Sequence, residues 1–106
     1  MASRLELQTT LEGVMSGLGY DKDEVYFQPP ASVQMSYPAI VYNLNNIGTN
    51  FANNKLYLEH KAYSITVIDK NPDSDIPDKI LNLPLCSFSR FFISDHLNHW
   101  NFVLYF

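Results

Sequence analysis

The chain has 106 residues, 46% of them hydrophobic and 14% aromatic, with 7 basic against 11 acidic side chains and a net charge of −4. That length fits one domain, 1–106, and no Pro-, Gly- or Ser-rich stretch divides it. No basic stripe is present to follow a phosphate backbone, no apolar run approaches the ~20 residues that span a bilayer, and Cys86 as the only cysteine excludes an internal disulfide and a four-cysteine zinc site. Sequence-specific nucleic-acid binding and a membrane partner are therefore not expected. The start, Met1-Ala2-Ser3-Arg4-Leu5-Glu6, lacks the apolar core of a signal peptide, so the protein is expected to be made and used in the cytosol. A domain this small leaves much apolar surface exposed unless partners cover it, and oligomerisation is a natural remedy.

Leu7, Leu11, Val14, Met15 and Leu18 recur at helical spacing and Gly19 stands where a helix commonly ends, which predicts a helix over about 3–18. Its other face, Glu6, Gln8, Thr9, Glu12 and Ser16, is polar, as for a helix laid on a sheet with one side in water. A charged turn at 20–24 leads into the β-prone run Val25-Tyr26-Phe27, which Pro29-Pro30 terminates. Ala39-Ile40-Val41-Tyr42-Asn43-Leu44 reads as a second strand, and its apolar start points to a central position buried on both faces.

The asparagines between 45 and 54 favour a turn region holding Phe51 and Ala52, so a long hairpin is expected, with its return strand from about Leu56 to Ile68. Asn71-Pro72-Asp73-Ser74 supplies a turn and an N-cap for a short second helix marked by Ile76, Ile80 and Leu83 and closed by Pro84. Two strands follow, about 86–93 and 99–106, joined by a loop over 94–98. The fold class is α+β: an antiparallel or mixed sheet flanked by the two helices on one face.

Catalytic patterns do not emerge. There is no Gly-x-Ser-x-Gly elbow, and Gly13, Gly17, Gly19 and Gly48 form neither a phosphate loop nor a dinucleotide fingerprint, so no cofactor and no enzyme activity are expected. Asp95-His96-Leu97-Asn98-His99 would offer zinc three ligands on a helical turn, but a fourth has no source, and a polar turn between strands explains the same residues. Asp69, Asp73, Asp75 and Asp78 lack the glycine and terminal glutamate of a calcium loop and are explained by the dipole and capping of the second helix. Arg90, between Phe88 and Phe92 on one strand face, calls for either a buried ion pair or a contact across a subunit boundary.

Tyr37-Pro38-Ala39-Ile40-Val41-Tyr42, Tyr63-Ser64-Ile65-Thr66-Val67-Ile68-Asp69 running into Asn71-Pro72-Asp73-Ser74, Leu83-Pro84-Leu85-Cys86-Ser87-Phe88, Asp95-His96-Leu97-Asn98-His99 and Leu104-Tyr105-Phe106 are spread from Tyr37 to Phe106, a span of about two-thirds of the chain. In these stretches the sequence resembles small neck proteins of long-tailed bacteriophages, the tail-completion, tail-terminator or head-tail connector proteins. The resemblance implies a helix-flanked sheet whose long hairpin reaches toward the next subunit, and copies closing into a ring, usually sixfold, in the virion between capsid and tail. It also implies contacts with other neck proteins and the tail-tube protein, with DNA passing through the ring. No catalytic motif comes with the family. On this reading Phe51, Leu56 and Tyr57 in the hairpin, together with Arg90, are the expected subunit-interface residues. The competing readings are a monomeric protein-binding adaptor and a metal-dependent hydrolase fragment using Asp95, His96 and His99.

Overall fold

The computed structural model describes residues 4–45 and 61–106. Its elements run α1 (Arg4–Gly17), β1 (Val25–Phe27), β2 (Ala39–Asn45), β3 (Ala62–Asp69), α2 (Ile76–Leu81), β4 (Cys86–Ser94) and β5 (Leu97–Tyr105). The strands form one five-stranded sheet in the order β1-β2-β3-β5-β4, with β1 parallel to β2 and every other pair antiparallel. The expected α+β class and both helices are present, and the sheet is mixed.

One face of the sheet carries the core. Tyr42 pairs with Ile65 and Ile65 with Phe102, Ile40 pairs with Val67, and Tyr63 with Leu104, so these side chains share a face. Leu7, Leu11 and Met15 of α1 and Ile76 and Ile80 of α2 close over them, all fully buried. The helical stripe therefore lands where its spacing placed it. At its end the Tyr20 amide donates to the Met15 carbonyl (2.9 Å) and the Gly19 amide to that of Ser16 (3.1 Å), with Gly19 at φ 85°. These two bonds satisfy carbonyls that the last helical turn leaves open, and the left-handed backbone they need falls on the residue that adopts it most easily.

A polar stitch fixes α1 on the sheet. The Tyr42 hydroxyl donates to Gln8 Oε1 and accepts from Arg4, whose guanidinium lies 4.6 Å above the Phe27 ring. Gln8 Nε2 reaches the Val25 carbonyl. A tyrosine whose ring is fully buried thus finds a partner for its hydroxyl at the helix, where an unpaired one would cost stability.

The hairpin that β2 and β3 form is registered from Ala39↔Ile68 to Asn45↔Ala62, and Phe51, Leu56 and Tyr57 lie outside the described residues. The second helix is shorter than its periodicity implied. Asn82 caps it, and its start is not capped by a side chain on Asp75. Instead the Asp69 carboxylate accepts from the Asn71 amide (3.1 Å) and the Asn71 side chain from the Asp73 amide (2.9 Å). Asp69 thus serves the turn that delivers the helix, and within the 71–74 stretch expected to supply the cap the Ser74 hydroxyl accepts from the Ile76 amide (3.4 Å).

Candidate functional site: the uncovered edge of the sheet

β4 is an outer strand of nine residues, joined to β5 by a two-residue turn instead of the five-residue loop expected at 94–98. Ser94 pairs with Leu97, and Asp95 and His96 between them take φ 53° and 63°. Positive φ at both central positions matches the right-handed twist of the flanking strands, which is why such turns join hairpins. The side-chain amide of Asn98, itself buried, donates to the carbonyls of Asp69 and Lys70 and so ties this hairpin to the end of β3.

The register of β4 breaks once. Phe88 is opposite Phe102 and Arg90 opposite Asn101, leaving Ser89 as an extra residue in a bulge. Its consequence is a change of faces. Phe88 shares the helix-bearing face with Phe91 and Ile93, because their partners are Phe102, Trp100 and Asn98. Arg90 turns to the opposite face with Phe92. The expectation that Phe88, Arg90 and Phe92 share a face is corrected, since an unbulged alternation was assumed where one residue is inserted.

Neither α1 nor α2 extends over this corner. Phe88 is 49% exposed, Phe91 46% and Ile93 66%. What support they have comes from β5: Phe88 meets Phe102 edge-on at 5.6 Å, and Phe91 lies 5.4 Å from Trp100. On the other face the exposed Arg90 guanidinium sits 4.9 Å above the Phe92 ring, which in turn stacks on His99 at 4.6 Å with the planes 15° apart. His99 Nδ1 is 3.0 Å from the Leu97 carbonyl, which can only accept, so Nδ1 carries the proton. A buried ion pair for Arg90 is thereby replaced by a surface cation held over an aromatic ring.

The residues weighed for chemistry are dispersed. His96 lies in the tight turn and His99 against Phe92, and no helical turn brings them together with Asp95. Among the described residues no three His, Cys, Asp or Glu side chains form a group able to hold a metal ion. The Cys86 thiol is half-buried, and burial pushes its pKa up to about 11, so near neutral pH it is protonated and a poor nucleophile. A groove of about 340 Å³ beside the start of β4 is lined by Thr10, Leu83, Pro84, Leu85, Leu104, Tyr105 and Phe106. Its lining is mostly apolar and holds no cluster of titratable groups that would orient a reacting molecule.

Sequence reasoning singled out Arg90 but missed Phe91 and Ile93. The only trace was the unbroken run Phe91-Phe92-Ile93, which fits neither a clean alternation nor a central strand. No family model, no curated protein and no solved structure matches this chain.

Proposed function

We propose that this protein is a structural component that works by assembling with copies of itself, as a ring in the virion at the joint between the head and tail of a long-tailed bacteriophage, where it completes or terminates the tail. The observation that carries this reading is the β4 edge. A nine-residue strand without proline or lysine, with one face bearing Phe88, Phe91 and Ile93 to solvent, offers another chain an adhesive edge, and the bulge at Ser89 and the charge of Arg90 restrict which chain can add to it. Soluble domains cover or blunt such edges, and a protein whose task is assembly has a use for one left open. The resemblance to phage neck proteins supplies the setting and the ring.

Electron microscopy of the purified protein, with its mass measured in solution, tests this. Closed rings of uniform size are expected, together with localisation of the protein at the neck in labelled virions. A monomer at every attainable concentration, with no label on particles, would remove the reading and leave a monomeric adaptor that offers β4 to a different protein.

A further inference from the structure

We propose that the β4 edge of one copy docks on the acidic β1 edge of a second copy, with Arg90 facing Asp21 and Asp23, so that copies join head to tail. The inference rests on the self-assembly reading above and specifies which surfaces meet.

β1 and β4 are the two outer strands of the sheet, about 19 Å apart at the usual strand spacing. A contact from one to the other repeats in one direction, the heterologous geometry that closes into rings. The alternative is β4 against β4 about a twofold axis. Antiparallel pairing that overlaps all of Cys86–Ser94 puts that axis at Arg90, the middle residue, and sets two guanidinium groups directly opposite each other. The only charge on the strand thus opposes the symmetric dimer.

The complement to Arg90 is found on the chain itself. Just before β1 stand Asp21, Lys22, Asp23 and Glu24, with Asp21, Lys22 and Asp23 exposed, giving three negative charges against one positive. Glu24 is already engaged, accepting from the Tyr26 hydroxyl (2.6 Å) and the Ser36 amide (2.8 Å). The Asp21 carboxylate accepts from the Asp23 amide (2.9 Å), which fixes the turn and presents both aspartates outward.

Area supports a contact that needs repetition. Two aromatic side chains about half exposed and Ile93 two-thirds exposed offer on the order of 300 Å² of apolar surface, whereas a stable pair commonly uses about 800 Å² per partner. A single contact is weak. In a ring every copy makes two, and closure removes the free ends. The exposed charge pairs choose the direction and the apolar face supplies most of the affinity.

Two blocked variants test the orientation. Arg90→Glu spoils the β4 side only, and Asp21→Lys with Asp23→Lys spoils the β1 side only. Each should shift the ring-to-monomer midpoint to a concentration higher by on the order of tenfold, with an unchanged circular dichroism spectrum. Combining all three changes in one chain reverses the pairing and should restore rings. Ile93→Asp, at the most exposed of the three apolar positions, serves as a second β4 block. Mixed with the Asp21→Lys/Asp23→Lys protein at concentrations well above the wild-type ring-to-monomer midpoint, where even the single weak contact is populated, it should give a 1:1 heterodimer and nothing larger, because one intact pair of surfaces remains. Rings that form equally well in all variants, or blocked proteins that fail to pair, would overturn the docking while leaving self-assembly in place. A wild-type chain that never assembles would overturn both.

Discussion

Deleting Ser89 ought to be nearly neutral for stability, although removing a residue from the middle of a strand ordinarily flips everything beyond it to the wrong face. The reason lies in the pairing. With Ser89 gone, Phe88 follows directly before Arg90, and their partners Phe102 and Asn101 are themselves adjacent, so both strands alternate in step. Phe88 keeps its face, Arg90 keeps the other, and the Asp95-His96 turn is untouched. The change removes one unpaired residue, whose ordering costs about 1–2 kcal/mol, and against that stands whatever local contact the exposed serine makes, so the net should lie within about 1 kcal/mol of wild type. The same deletion at Thr66, in the central and unbulged β3, should behave differently. If the β3 half nearer Asp69 stays in register, Tyr63 and Ile65 leave the core, and two fully buried side chains worth about 1.5–3 kcal/mol each are lost, a large part of the 5–15 kcal/mol typical of a domain. Urea unfolding followed by circular dichroism separates the two outcomes. A Ser89 deletion that costs more than about 3 kcal/mol would show that the faces of β4 are not arranged as the register states.

Three further outcomes follow from particular residues. Leu11→Ala removes a side chain with no solvent exposure from beneath α1 and should lower the unfolding free energy by about 2–5 kcal/mol, with the urea slope unchanged. Replacing Asp95-His96 by Asn-Gly should raise stability by roughly 0.5–1 kcal/mol, since both positions have positive φ and histidine tolerates it poorly; a loss in thermal melting would contradict the turn geometry. The hydrogen bond from Tyr26 to the Glu24 carboxylate pushes the Tyr26 pKa up to about 12, above the ordinary value of 10.0. The folded state therefore holds the phenolic proton more tightly than the unfolded chain, so this contribution is complete below pH 10 and fades as pH rises toward 12. Tyr20 and Tyr63 are also raised, so ultraviolet titration should show several late tyrosines, of which Tyr26→Phe removes the step near 12, and the variant should lose less stability than wild type across that interval.

Periodicity revealed those elements that face a single core. Leu7, Leu11 and Met15 mark α1, Ile40 and Tyr42 mark β2, and Ile65 and Val67 mark β3, because each turns one fully buried, apolar face to the core and the spacing of those apolar residues records it. β4 is wet on both sides and bulged, so its spacing records neither face. The turn at 95–96 looks like a longer loop in the sequence because neither of its residues is glycine and the stretch 94–98 is mostly polar. Strand order was illegible for a different reason: that β5 lies between β3 and β4 depends on which edges pair, and hydrophobic patterning within one strand carries no such information. The expected hairpin interface at Phe51, Leu56 and Tyr57 falls outside the described residues, whereas the surface at Phe88, Phe91 and Ile93 came from topology alone.

The bulge and Arg90 acquire a joint meaning once β4 is treated as an edge meant for a partner. A long, flat, apolar edge would pair with any strand that met it, including its own copy, and assemble without limit. Ser89 interrupts the ladder so that a regular strand cannot add along its whole length, and Arg90 beside it penalises the symmetric pairing. Phe92 and His99 hold that cation in one place, where a freely moving arginine would swing away from its own image. In the proposed docking such an edge would adhere through Phe88, Phe91 and Ile93 and select its partner by charge and by the position of the bulge. Removing the bulge should therefore cost the monomer almost nothing and cost the assembly its selectivity. The Ser89 deletion is expected to sediment as a broad distribution of large species, and Arg90→Ala added to it should broaden that distribution further.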